Sequence, residues 1–80
     1  MKLPRDLSGS HLVRALRLFG YEVTRQRGSH MRLTTSMNGE HHLTIPMHDD
    51  LRLGTLASIL DDVATHFGLT RDEVLGRLFP

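Results

Sequence analysis

Residues 21–46 read YEVTRQRGSHMRLTTSMNGEHHLTIP, and the fold turns on how they are parsed. Three segments alternate apolar with polar residues. Tyr21 and Val23 alternate with Glu22 and Thr24, Met31 and Leu33 with His30, Arg32 and Thr34, and Leu43 and Ile45 with His42 and Thr44. A period of two belongs to a strand with one buried face, so the stretch predicts a three-stranded antiparallel meander. Every apolar position is odd-numbered. Directly paired residues on one face then sum to an even number, which excludes a plain two-residue turn in either hairpin. Three-residue loops ending in a left-handed glycine satisfy the parity, and Gln26-Arg27-Gly28 and Met37-Asn38-Gly39 fit. The first loop pairs Val23 with Met31, Glu22 with Arg32 and Thr24 with His30. The second pairs Leu33 with Leu43, Met31 with Ile45 and Thr34 with His42.

The substring RGSHM at 27–31 also matches the remnant that a cleaved affinity tag leaves before a start methionine. A remnant sits at a terminus, outside the folding pattern. Here a helix and a strand come first, Gly28 supplies a loop position, and Met31 falls at a core position. The string is therefore read as part of the fold.

Helices flank the meander. Ser8 or Ser10 caps a helix running to about Phe19, with Leu12, Val13, Leu16 and Phe19 on one face and His11, Arg14 and Arg17 on the other. Gly20 stands at the stop position. After the strands, PMHDDLRLG reads as a loop. Thr55 is the expected cap of a second helix with Leu56, Ile59, Leu60, Val63 and Phe67 as its apolar stripe, Asp61 and Asp62 outside, and Gly68 as its end. Thr70-Arg71-Asp72-Glu73 reads as a capping box opening a short third helix with Val74, Leu75 and Leu78. The expected fold is α+β in the order α-β-β-β-α plus a short C-terminal helix. The helices cover the odd-numbered sheet face, and the even-numbered face stays open.

Eighty residues predict one domain, spanning 1–80, with a small aliphatic core. Cysteine is absent, which excludes a disulfide framework, a thiolate nucleophile and Cys-ligated zinc. No apolar run approaches ~20 residues and no charged-then-apolar leader opens the chain, so a cytoplasmic protein without a membrane span is expected. The net charge of +1 is unevenly placed. Lys2, Arg5, Arg14, Arg17, Arg25, Arg27 and Arg32 face only Asp6, Glu22 and Glu40 in the first half. Arg52, Arg71 and Arg77 face six acidic residues in the second. Arginine is the better fork for phosphate, and a basic half is compatible with a polyanionic partner or with an ordinary solvated surface.

His30 is the sharpest chemical candidate. It starts a strand just past a tight loop, on the open face, with Thr24 expected across the strand and Arg32 along it. Arg25 and Arg27 are close in sequence. A histidine exchanges protons near neutral pH, and arginines hold a phosphate and stabilise charge on it. Those parts suit metal-independent cleavage of RNA, in which the 2′-hydroxyl attacks the adjacent phosphorus while His30 moves a proton. The same spacing also describes an exposed strand histidine with no role. His41, His42, His48, Asp49 and Asp50 could suggest a metal cluster. His41 and His42 are adjacent on a strand and point to opposite faces, so no metal and no cofactor is expected. His11 and His66 are expected on solvated helix faces.

The segments LSGSHLVRALRLFGYEVTRQRGSHMRLT, HHLTIP and LRLGTLASIL, in that order over about residues 3–64, resemble the HicA-like toxins of bacterial and archaeal toxin–antitoxin pairs. The combination of a GSH segment after a helix and a strand, an HH-x-T-I-P strand and a G-T-L helix start carries the resemblance. It implies a fold like that of a double-stranded-RNA-binding domain (dsRBD), and an mRNA interferase that blocks translation. It implies that His30 is catalytic and that a HicB-like antitoxin binds over the site. Arg25, Arg27, Gly28, Ser29, Arg32, Thr24, His42 and Thr44 are the expected RNA-binding or supporting residues, with His42, Thr24 and Thr44 in reach as a second catalytic group. Two other readings stand beside the enzyme: a non-catalytic RNA-binding module, and a domain whose open face only docks a protein. Scarcity of aromatic residues for base stacking weakens the first of these.

Overall fold

The computed structural model describes residues 2–80. Its elements are α1 (Gly9–Ala15), a 3-10 turn (Leu16–Phe19), β1 (Glu22–Arg27), β2 (His30–Thr35), β3 (His41–Pro46), α2 (Leu53–Phe67) and α3 (Arg71–Leu78). The sheet is antiparallel in the order β1-β2-β3. This is the expected α+β, dsRBD-like arrangement.

Local chemistry accounts for the helix ends. The Ser8 side chain accepts a hydrogen bond from the His11 N–H at 3.0 Å and caps α1. The capping box at Thr70 and Glu73 is present in both directions. The start of α2 differs from expectation. It begins at Leu53, with Arg52 in the cap position and no side-chain cap bond, so Thr55 lies inside the helix. Leu51 supplies the reason. It is buried, and its N–H donates to the Leu7 carbonyl at 2.8 Å, which fixes the entry of the chain without a capping side chain. Arg71 ties α3 to α2 by donating through Nε and Nη2 to the two oxygens of Asp61, each at 2.7 Å. That bidentate bond holds the Asp61 carboxyl below its ordinary range.

The core gathers Leu12 and Leu16 from the first helical segment, Leu33 and Ile45 from the sheet, and Leu56, Leu60, Val63 and Val74 from the later helices, all with no exposed surface. Tyr21 is equally buried. Thr35, the buried polar residue of the sheet, donates to the Phe19 carbonyl at 2.8 Å and accepts from the Met37 N–H at 3.1 Å. A buried hydroxyl satisfied in this way carries no desolvation penalty for lost bonds.

The second hairpin has the expected register: Leu33 opposite Leu43, Met31 opposite Ile45 and Thr34 opposite His42. Pairing ends at Thr35 and His41, so the connection is five residues, Ser36–Glu40, rather than three. The first hairpin is a correction. Glu22 pairs with Thr34 and Val23 with Leu33, the ladder shifts at a bulge containing Thr24, and then Arg25 pairs with Arg32, Gln26 with Met31 and Arg27 with His30. Arg27 is a strand residue, and the turn is Gly28-Ser29 alone. Gly28 has φ +57° while Ser29 is not in the left-handed region, the pattern of a type II′ turn. The bulge absorbs one residue and reverses the parity that excluded a two-residue turn. Val23 is 43% exposed, not core. The helices pack chiefly over β3, so β1 is an uncovered edge whose register burial does not dictate.

Candidate active site

On the open sheet face, alternation along β2 presents His30, Arg32 and Thr34, and β3 presents His42 and Thr44 beside them. The bulge adds what regular alternation would have withheld. Beyond Thr24, the odd-numbered Arg25 and Arg27 share the face of the even-numbered Arg32 and His30. Arg25, Arg27, His30, Arg32 and Thr44 line a shallow depression of about 190 Å³. Arg25 and Arg32 are direct cross-strand partners. Like charges so placed repel unless an anion lies between them. Among the described residues no carboxylate lies within ion-pair distance of Arg25, Arg27 or Arg32. The depression therefore holds three guanidinium groups with unused donors around an exposed imidazole. Its chemistry is that of a site for phosphate with a proton-transfer group at hand.

A chain of hydrogen bonds runs along the same face, away from His30. Thr24 Oγ1 lies 2.9 Å from Thr34 Oγ1, Thr34 Oγ1 lies 2.8 Å from His42 Nδ1, and His42 Nε2 lies 3.1 Å from Glu40 Oε2. A carboxylate only accepts, so His42 Nε2 is the donor to Glu40. This network spans all three strands and pins the bulged residue Thr24. The sequence placed Thr34 opposite His42 but set Thr24 across from His30, so it gave no sign that Thr24 joins the other two. His42 stands opposite Thr34, four residues along β2 from His30, which is about 13 Å at strand rise. That separation puts His42 out of reach of a phosphate held at His30.

The remaining histidines divide by face. His41 is on the core side, its Nδ1 2.7 Å from the Tyr21 hydroxyl and its Nε2 3.6 Å from Asp62 Oδ1. Burial, and then the negative charge of Asp62, push the Tyr21 hydroxyl up to about 12, so it is the donor to His41. His66, expected to be solvated, instead stacks on His41 with ring centroids 4.4 Å apart and planes 12° from parallel. Its Nε2 donates to the carbonyls of Met37 and Gly39 at 2.9 and 3.0 Å. Asn38 Nδ2 returns a bond to the His66 carbonyl at 2.8 Å. His66 thus fastens the β2–β3 loop to the end of α2. Helical position alone placed it on a polar face, and the loop that covers it comes from 27 residues earlier in the chain.

Gly28 and Ser29 form the turn beside His30, and the Ser29 carbonyl accepts from the Met47 N–H at 2.6 Å. His48, Asp49 and Asp50 follow in the exposed loop. No helix among the described residues is long and apolar enough to cross a membrane. Over residues 9–64 the chain matches the model of the family described as HicA toxin of bacterial toxin-antitoxin. No curated protein and no solved structure matches the chain.

Proposed function

The chain belongs to the HicA toxin family of bacterial toxin–antitoxin pairs, and from that premise we propose that it is an endoribonuclease that cleaves mRNA and blocks translation. As a toxin of such a pair it has a cognate antitoxin. The observation that carries the enzymatic reading is the like-charged Arg25–Arg32 pair, joined by Arg27 around His30 in one depression. A bridging phosphate of RNA relieves that repulsion and brings a ribose 2′-hydroxyl to the imidazole. The 2′-oxygen attacks phosphorus as its proton leaves, with His30 exchanging a proton in the step. The bond to the 5′-oxygen breaks, leaving a 2′,3′-cyclic phosphate and a 5′-hydroxyl. The arginines stabilise the charge that builds on the phosphoryl oxygens. The turn residues Gly28 and Ser29 set where His30 starts, and Thr44 offers a hydroxyl to the same depression. Thr24 and His42 support the face through their shared hydrogen bonds.

The partner expected on this face is a HicB-like antitoxin that presents carboxylates to the same arginines. A purely RNA-binding module is a poorer fit. The one tyrosine is buried, so it offers no stacking platform on the open face. Incubating the protein with single-stranded mRNA in excess EDTA tests the enzyme directly. Cleavage ending in 2′,3′-cyclic phosphate is expected, falling by roughly 10²–10⁴ in His30→Ala. Undiminished cleavage by that variant removes His30 from the mechanism, and loss of cleavage in EDTA points to a metal instead.

A further inference from the structure

Cleavage by 2′-hydroxyl attack moves two protons: one leaves the 2′-oxygen and one must reach the departing 5′-oxygen. A lone histidine serves both only by moving between them. His42 is about 13 Å along the sheet from His30, and Thr44 offers only a weakly acidic hydroxyl. Another imidazole lies on the opposite side of His30.

The β2–β3 pairing does not stop at His30 and Pro46. The Met47 N–H donates to the Ser29 carbonyl at 2.6 Å, which carries the ladder one residue further. Alternation continues with it. Leu43 and Ile45 are buried and Met47 packs against the core, while His42, Thr44 and His48 are exposed. His48 therefore falls on the open face, diagonally across from His30. Diagonal neighbours lie about 7–8 Å apart, with their Cβ atoms somewhat closer, a gap that two imidazoles bracketing a phosphate fill.

The position is also held firmly. On the side away from β2, the His48 carbonyl accepts from the Gly9 N–H at 2.9 Å. A Cβ built on Gly9 would collide with the Pro46 carbonyl oxygen, so α1 abuts this backbone directly and leaves room for glycine only. The segment Pro46–His48 is clamped between the Gly28-Ser29 turn and the start of α1, although it leads into a loop.

We infer that His48 is the second proton-transfer residue, paired with His30 across a scissile phosphate that lies next along the RNA to the one held between Arg25 and Arg32. This rests on the nuclease reading above. One imidazole takes the proton of the attacking 2′-oxygen, and the other, protonated, gives its proton to the 5′-oxygen as the P–O5′ bond breaks. The two end the step with exchanged protonation states, so protons balance. The charged groups around the pair are Arg25 and Arg27 on β1, Arg32 on β2, and Asp49 and Asp50 beyond His48.

The test compares wild type, His30→Ala, His48→Gln and the double variant on cleavable RNA, and on 2′-O-methyl RNA of the same sequence, which binds but is not attacked. His48→Gln should lower cleavage by roughly 10²–10⁴ while affinity for the 2′-O-methyl RNA stays within about threefold. The bell-shaped pH–rate profile of the wild type should lose one limb. The double variant should be little slower than the worse single one, because the two residues act as a unit. Thermal unfolding monitors the fold, and His48→Asn repeats the comparison with a shorter side chain. Wild-type cleavage with both limbs retained in His48→Gln overturns the pairing, as does a fall in affinity equal to the fall in rate. If His30→Ala is inactive and His48→Gln is not, only this inference fails. If the wild type itself leaves RNA intact, the nuclease reading fails with it.

Discussion

The two hairpins share a strand and obey different rules. Between β2 and β3, both strands carry residues that the helices bury: Leu33, Leu43 and Ile45. A one-residue slip would turn all of these to water, so hydrophobic alternation suffices to set the register. Between β1 and β2, one strand is exposed along its whole length. There the register is settled by the Gly28-Ser29 turn at one end, buried Tyr21 at the other, and a bulge at Thr24 that reconciles them. Burial fixed the hairpin under the helices, and turn chemistry fixed the one at the edge. The basic depression on the open face depends on the second kind, because the bulge brings Arg25 and Arg27 beside His30.

The contrast is broken most severely in the covered hairpin. Ile45→Ala, at a position with no exposure, should cost about 2–5 kcal/mol in urea unfolding. Val23→Ala, on the edge strand, should stay within about 0.5 kcal/mol. Equal losses at the two positions would mean that β1 is packed as tightly as β3.

A smaller effect tests the point where the hairpins meet, the bond from Tyr21 to His41 of β3. The Tyr21 hydroxyl rises from 10.0 to about 12 in the folded chain. Folding thus favours the protonated phenol, whose contribution is complete below pH 10 and is lost as pH climbs toward 12. Two pKa units correspond to about 2–3 kcal/mol. Tyr21→Phe should flatten that alkaline limb of the stability–pH curve, and a limb that persists in the variant would place its cause elsewhere.

The smallest effect sharpens the comparison. Deleting Thr24 removes the bulge yet leaves Val23 opposite Leu33 and Arg25 opposite Arg32, now in a regular ladder. The loss should be about 1 kcal/mol, the worth of the Thr24–Thr34 hydrogen bond. Salt-dependent RNA affinity should survive, since the arginines keep their face. Collapse of the fold on deletion would show that the bulge itself sustains the sheet.

Much of this was legible along the chain. The caps at Ser8 and Thr70, the apolar stripes of the helices and the β2–β3 register are local or single-face patterns, and each follows from periodicity. Exposure of His30 followed in the same way, and the GSH and HH-x-T-I-P segments gave the family. The Thr24 bulge escaped because parity counts residues and a bulge changes the count without leaving a signature in an exposed strand. The His41–His66 stack and the Thr24–Thr34–His42 chain escaped because their members lie 25 and 18 residues apart at the extremes, where no short-range pattern reaches. The early start of α2 escaped because a buried leucine replaced the cap.

By itself, the sequence determined the α-β-β-β-α-α order, most of the core with Val23 as the exception, and a histidine on a basic, open sheet face. These rest on side-chain hydrophobicity read at fixed period, which is a property of neighbours in the chain. Tertiary structure decided which arginines surround that histidine, and that Pro46–His48 is clamped beside it by Ser29 and Gly9. Those choices depend on backbone hydrogen bonds between distant segments. Every residue but proline offers the same donor and acceptor, so the residue letters do not tell such pairings apart.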